Sequence, residues 1–363
     1  MIYFANPRSE YIYLKKKINN KIQKVLNSNS YILGKEVENF EKNFSKYLGI
    51  KYSVGVSNGT DAIILALNAI NIKKGDEVIT TSHTAYATIA AIVDTGAIPV
   101  FVDIKELDYT IDINKVEKKI TKKTKAIIAV HIYGNPVDIL ELLKIKQKYR
   151  ITLIEDCAQA HGAEYDKKKI GTFGDFACFS FYPTKNLSTF GDAGVVSCNN
   201  IKMYKKLKLL REYGWIRKNF SIHKGSNKRL DELHAGILNV KLDYLDFFNN
   251  RRIIVANKFM KLINSDKLIL PGINPVKKHV YHLFVIRIKN NKRNQFIDYL
   301  KKNKIYVGIH YPLPNHQQKT FSKYIKTKLP ITEKISKQIV SIPNFPLLKV
   351  KEINKIINVI NNF

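Results

Sequence analysis

A lysine, an acid and a polar turn are the residues of this chain with chemistry to offer. Lys185 sits in Phe179-Ser180-Phe181-Tyr182-Pro183-Thr184-Lys185-Asn186-Leu187, past a short apolar run and before Gly191-Asp192-Ala193-Gly194. Asp156 closes an earlier apolar run, Ile151-Thr152-Leu153-Ile154-Glu155-Asp156. An amine and a buried carboxylate are what pyridoxal phosphate requires. The amine holds the aldehyde as a Schiff base, and the carboxylate keeps the pyridine nitrogen protonated so that the ring accepts electrons. Ser57-Asn58-Gly59-Thr60-Asp61-Ala62 adds an anion site. There Gly59 permits a tight turn, Thr60 or Asp61 caps the following helix, and exposed amides at its start suit a phosphate. Ser180 is spaced to add a hydroxyl. Taken singly, the turn reads as a capped helix, Asp156 as a helix cap and Ser180 as an inert strand serine; together they gain weight.

The elements that must position these residues alternate. Strands are expected at 77–81, 99–103, 126–130, 151–155, 177–181 and 194–197, and helices at 37–48, 61–70, 86–95, 113–119 and 139–149. Such alternation implies an α/β fold with a mostly parallel sheet covered on both faces. Parallel sheets bind ligands at the carboxyl ends of their strands, where His83, His131, Asp156 and Lys185 fall. The texture changes near residue 240: an amphipathic stretch at 240–263, strands at 282–288, a helix at 293–303 and a closing helix at 351–362. The expected division is a large domain, 1–240, with an N-terminal arm, and a smaller C-terminal α+β domain, 241–363.

The bulk numbers exclude several classes. The chain has 363 residues, 45% hydrophobic and 25% charged, so it buries a large core. No apolar run reaches the ~18 residues of a membrane span, and the N-terminus lacks a signal-peptide pattern, so a cytoplasmic protein without a membrane partner is expected. Three cysteines, Cys157, Cys178 and Cys198, form no C-x-x-C pair and suit a reducing compartment. The net charge of +31 invites a nucleic-acid reading. Its lysines are spread along the chain among Asn and Ile, with no nucleic-acid-binding motif. No nucleic-acid partner is expected, although the charge can steer anionic small molecules. No metal site is expected.

In order, the stretches resemble the sugar aminotransferases of the DegT/DnrJ/EryC1/StrS family, fold-type-I PLP enzymes. The resemblance is carried by Ser57 to Ala62, Gly75-Asp76-Glu77-Val78-Ile79, Gly96-Ala97-Ile98-Pro99-Val100, Glu155-Asp156-Cys157-Ala158-Gln159-Ala160-His161-Gly162-Ala163, Gly174-Asp175-Phe176 and Ser180 to Leu187. Gly225 to Glu232 and Gly308-Ile309-His310-Tyr311-Pro312-Leu313-Pro314-Asn315-His316-Gln317 complete it. The resemblance implies that Lys185 holds the cofactor and carries the proton, that Asp156 pairs with the pyridine nitrogen, and that Gln159 lies near the phenolic oxygen. Gly59, Thr60 and Ser180 then hold the phosphate, joined by Asn227 from a second subunit, so the expected unit is a homodimer with shared sites. Relatives carry a stacking aromatic in a Thr-aromatic-x-x-Thr run. Here the run is Thr84-Ala85-Tyr86-Ala87-Thr88, which leaves Tyr86 or His83 as candidates for the ring face.

His310-Tyr311-Pro312-x-Pro314-x-x-Gln317 is similar to the version in relatives that aminate C3 of a nucleotide-linked keto-sugar. His310, Tyr311 and His316 become candidate sugar contacts. Arg211, Tyr213 and Arg229 become candidates for a diphosphate or the donor carboxylate, with surface roles as the alternative. The expected reaction moves an amino group from an amino acid, L-glutamate, to a nucleotide-diphospho keto-deoxysugar. The alternatives are amination at C4, a sugar dehydratase of the same fold, against which Lys185 speaks because those enzymes carry histidine there, and a non-catalytic regulator.

Overall fold

A computed structural model describes residues 1–321 and 327–363. Helices α1 (Pro7–Leu26) and α2 (Lys35–Leu48) precede β1 (Tyr52–Val56), α3 (Gly59–Ala69), β2 (Glu77–Thr81), α4 (Tyr86–Asp94) and β3 (Ile98–Val102). Next come β4 (Thr124–Val130), α5 (Ile139–Tyr149), β5 (Thr152–Asp156), and a hairpin of β6 (Glu164–Tyr165) and β7 (Lys168–Lys169). β8 (Phe176–Ser180), β9 (Gly194–Cys198) and α6 (Ile201–Arg211) complete the large lobe's main layers.

Seven strands form one sheet in the order β1-β9-β8-β5-β4-β2-β3. Strand β9 runs against both β8 and β1, and the remaining pairs are parallel. The carboxyl ends of β2, β4, β5 and β8 therefore open on one edge, and the residues that follow them converge there. Both faces of the sheet are dry. Val54, Ala66, Ile89, Ile128 and Ile154 pack on one side, and Phe40, Phe44, Phe179 and Phe181 on the other. Each such side chain contributes about 1.5–3 kcal/mol on burial.

A short hairpin, β10 (Trp215–Arg217) and β11 (Phe220–Ser221), leaves Ile216, Phe220 and Ile222 exposed. Helices α7 (Glu232–Leu242) and α8 (Leu245–Leu262) lead into the second lobe: β12 (Leu268–Ile269), β13 (Lys277–Lys278), β14 (Phe284–Ile288), α9 (Arg293–Lys302), α10 (Pro330–Ser336), β15 (Ile339–Ile342) and α11 (Val350–Asn361). Strands β12, β14 and β15 form an antiparallel sheet, while β13 pairs back with β6.

The expected α/β class with a mostly parallel sheet holds. Two local expectations need correction. Residues 113–119 form two 3-10 turns, because Val116 is the stretch's one fully buried side chain and a longer helix would have no apolar face to bury. The amphipathic stretch at 240–263 breaks at Asp243 and Tyr244 into the end of α7 and the whole of α8. The first residues of the N-terminal arm reach the smaller lobe, where Ile2 pairs with Ile305 and joins the core of Phe259, Phe284 and Ile357.

Candidate active site

Alternation along β5 sends its two terminal acids to opposite faces. Asp156 is buried and accepts from the Thr88 hydroxyl at 2.8 Å and the Ala158 amide at 3.1 Å. Burial pushes its carboxyl above the ordinary value, with Thr88 and Ala158 pulling the other way. Thr84 bonds Thr88 at 2.9 Å, so the Thr84–Thr88 run props the acid from α4. Glu155 faces away and is saturated by the amides of Gly171, Phe173 and Gly174 and by His131 Nε2 at 3.2 Å. His131 Nδ1 accepts from the Val137 amide at 3.1 Å. His131, Glu155 and Cys157 lie close enough to suggest a metal cage, but the donor atoms of His131 and Glu155 are already engaged. His131 is thus spent on structure rather than on the shared site expected of it.

Lys185 lies in the loop between β8 and β9. Its backbone amide bonds Tyr182 O at 2.9 Å, while its side-chain amine has no hydrogen bond or ion pair among the described residues. Burial pulls this amine down to about 8, with Asp156 opposing. The phosphate turn meets the same strand end. A Cβ on Gly59 would stand 2.7 Å from Ser180 Cβ, so only glycine lets the start of α3 approach β8 this closely. Asn58 caps the helix through the Asp61 amide at 2.8 Å. The first-turn amides of Gly59 and Thr60 have no carbonyl within their own helix. Asp61 would repel an anion here, but Lys228 pairs with it.

A platform of long-range contacts carries the second lobe onto this edge. Gln159 Oε1 accepts the Tyr133 amide at 2.7 Å, and its Nε2 donates to Tyr311 Oη at 3.0 Å. Tyr133 Oη donates to His310 O and meets His83 Nε2 at 2.6 Å. The arm's Phe4 stacks on the His310 ring at 5.1 Å, and Ser341 Oγ lies 3.0 Å from His310 Nδ1. Burial lowers His83 and His310 to about 4 each and raises Tyr311 to about 12. Burial thus disfavours charge on both imidazoles.

The model of the DegT/DnrJ/EryC1/StrS aminotransferase family matches residues 13–361. The chain belongs to that family. It is 43% identical over 363 residues, covering 100% of this chain and 99% of the relative, to a dTDP-3-amino-3,6-dideoxy-alpha-D-galactopyranose transaminase of Aneurinibacillus thermoaerophilus. Its fold matches that of S. venezuelae DesV, solved in complex with a ketimine intermediate, at a TM-score of 0.96 and 36% identity, covering 99% of this chain and 98% of that one. A Bacillus subtilis structure, ntda with bound cofactor PMP, matches at 0.90 and 31% identity, covering 96% and 81%.

Pyridoxal phosphate is the cofactor of this DegT/DnrJ/EryC1/StrS aminotransferase, and the residues fit it. An amine with no hydrogen bond among the described residues, a buried carboxylate that accepts from two donors, and a glycine cradle at a helix start match the aldehyde, pyridine nitrogen and phosphate that the group would present. Reading the sequence missed Thr88 as the acid's prop. It also missed Tyr133, whose backbone sits at φ 60° and whose hydroxyl reaches across to His310. The first had a signal in its spacing from Thr84; the second had none.

Other residues are placed elsewhere. Both ring nitrogens of His316 are used, Nδ1 on Ser82 at 2.7 Å and Nε2 on Glu333 at 3.1 Å, which makes it a clamp rather than a sugar contact. Arg211 is buried against Glu41 at 2.6 Å and Gly55 O at 3.2 Å, a structural pair beneath β1. Arg229 reaches Glu212 at 3.4 Å, and Tyr213 is half exposed beside Trp215. Asn227 is exposed on the chain's own surface. Of the two stacking candidates, Tyr86 is exposed and leans on Phe321 at 4.8 Å, while His83 is buried at the site's edge. Ala85 is the N-cap of α4.

Proposed function

We propose that this chain moves an amino group from L-glutamate to the C3 keto group of a nucleotide-diphospho deoxysugar. The observation that carries the reading is the unpaired, desolvated Lys185 amine within electrostatic reach of Asp156. Pyridoxal phosphate, when bound, supplies the electron sink that makes the substrate's C–H acidic. Lys185 is the group that takes and returns that proton. An amine pulled to about 8 has a usable neutral fraction at physiological pH. Asp156, propped by Thr88 and Ala158, keeps the pyridine nitrogen protonated. Gly59, Thr60 and Ser180 hold the phosphate at the far end. Gln159 is oriented by Tyr133 and Tyr311 and sits against the ring.

The C3 assignment is supported by the name of the 43%-identical relative and by the fold itself, which brings His310 and Tyr311 to the cofactor edge. These two residues line the sugar site, and Arg229 is the remaining basic candidate for the diphosphate. His83 covers the ring where Ala85 cannot, a role supported by its burial beside Tyr133 while Tyr86 is exposed. Asn227, exposed on its own chain, completes the phosphate site of a second copy, so the working unit is a homodimer. Two domains meeting near residue 240, and a cytoplasmic setting without nucleic-acid or membrane partners, belong to the same reading.

The test is product analysis with a panel of nucleotide-linked 3-keto and 4-keto sugars, with glutamate as donor. Amination of the 3-keto sugars alone is expected; turnover restricted to 4-keto sugars would reject the C3 assignment. In Lys185→Ala, the cofactor is expected to bind noncovalently while amino transfer is lost. Unchanged turnover in that variant would refute the role of Lys185.

A further inference from the structure

We infer that Asn186 and Asn249 act as a positioning pair that locks the Lys185 loop to the loop that follows Asp156, an inference that rests on Lys185 being the cofactor lysine. Both asparagines are almost fully buried, at 2% and 1% exposure. Asn186 Nδ2 donates to Asn249 Oδ1 at 2.7 Å and to Val280 O at 3.1 Å. A carbonyl can only accept, so this contact fixes which way the Asn186 amide faces. Its Oδ1 then accepts from His282 Nδ1 at 3.2 Å. Asn249 Nδ2 in turn donates to His161 O at 2.7 Å. The amide hydrogens of Asn186 and the oxygens of both asparagines are thereby engaged.

The connectivity makes this more than a buried cross-link. Among the described residues the Lys185 amine has no hydrogen bond or ion pair, so its placement depends on the backbone on either side. On the C-terminal side the neighbouring residue is Asn186. Through Asn249 on α8, that residue is tied to His161, five positions beyond Asp156. The relay thus spans the lysine loop, the helix entering the second lobe, and the acid's loop. Close packing holds the far end in register: a Cβ on Gly162 would stand 2.7 Å from Asn249 Nδ2 and 2.6 Å from Tyr47 Oη. The His161 ring lies 5.5 Å from both Phe179 and Phe181, and neither of its nitrogens has a partner. His161 therefore contributes its carbonyl to the relay and an uncharged ring to the wall. A lysine and an acid serving opposite ends of one cofactor must keep their separation, and a misplacement of about 1 Å costs on the order of a hundredfold in rate.

The test uses Asn186→Ala, Asn249→Ala and the double variant, with two readouts. In cofactor-free protein, the pH midpoint of Lys185 modification by acetic anhydride is read by mass spectrometry against exposed lysines. On mixing with pyridoxal phosphate, the rate of imine capture at Lys185 is followed by visible absorbance; the amine adds to the aldehyde carbon and one water leaves. Each single variant is expected to raise the midpoint from about 8 toward that of an ordinary lysine, as water reaches the amine. Each is also expected to slow capture about 10- to 100-fold. Because the two residues act as one unit, the double variant should fall no further than the worse single. Should an alanine variant fail to fold, Asn186→Ser keeps a hydrogen-bonding group in a smaller volume and carries the same expectation at reduced size. Variants that lose thermal stability yet keep the wild-type midpoint and capture rate would overturn the inference, as would additive effects. Wild-type protein that captures no cofactor at Lys185 would instead overturn the cofactor reading, since the anhydride labelling reports on the amine without it.

Discussion

Adding one methyl group at Gly59 should separate the phosphate cradle from the rest of the site. In Gly59→Ala the new Cβ would meet Ser180 Cβ at 2.7 Å, about 1 Å inside ordinary carbon contact. Neither side can retreat easily. Ser180 is paired across to Gly194 on β9, and Gly194 itself has Asn58 O only 2.4 Å from where its own Cβ would be. The start of α3 must therefore tilt away, widening the gap that receives the phosphate. Overpacking of this kind costs about 1–3 kcal/mol, roughly 5- to 150-fold in affinity if it falls on cofactor binding. Replacing a helical glycine also gains about 0.4–1 kcal/mol by restricting the unfolded chain, which offsets part of whatever overpacking cost the cofactor-free fold bears. The assay is titration of cofactor-free protein with pyridoxal phosphate and, in parallel, with pyridoxal. The phosphorylated form should lose affinity while capture of pyridoxal by Lys185 stays near wild type. Equal losses for both, or none for either, would refute the placement of the phosphate at Gly59.

Three other outcomes follow from the same geometry. Asp156 is pushed above the ordinary carboxyl value of 3.8 by burial, so ionising it costs folding stability as pH rises from 3.8 through its folded value. Cofactor-free Asp156→Asn should therefore melt higher than wild type at neutral pH and equally at low pH, while losing amino transfer; parallel melting curves at every pH would contradict this. His316→Ala should cost about 1–3 kcal/mol by removing the ring partner of the buried Ser82 hydroxyl, which keeps only the bond from the residue-316 amide, read by denaturant unfolding, with the sugar KM unchanged. Arg211→Ala leaves Glu41 buried without its partner and should cost about 3–5 kcal/mol; whatever folds should bind pyridoxal phosphate with wild-type affinity.

What the sequence made legible was local. Asp156, Ser180 and the Gly59 turn each sit at a strand end or helix start, with Lys185 in the loop just past β8, and a few neighbouring residues define such positions. The parallel sheet was legible because its strands are short apolar runs, rich in Val and Ile in β2, β3 and β4, that alternate with helical stretches. Helix α1 was missed although Leu14, Ile18, Ile22 and Val25 recur at helical spacing, because lysines and asparagines surround that stripe and its partners Ile237 and Phe248 lie far along the chain. The roles of His316 and Arg211 were hidden for the same reason. A histidine in a promising motif and an arginine after a helix reveal their partners, Glu333 and Glu41, only once the chain is folded.

The N-terminal arm has a consequence for how the molecule comes apart. Ile2 is hydrogen-bonded to Lys304 and Tyr306 in the smaller lobe, while Leu14 and Ile18 of α1 pack on α7 and α8. Between them Glu10 is buried against Lys241 at 2.8 Å and Arg252 at 3.8 Å. A buried carboxylate facing two cations cannot be released from one without stranding the others. Neither lobe can melt while leaving the arm in place, so heating should give one cooperative transition in which two separable domains would give two.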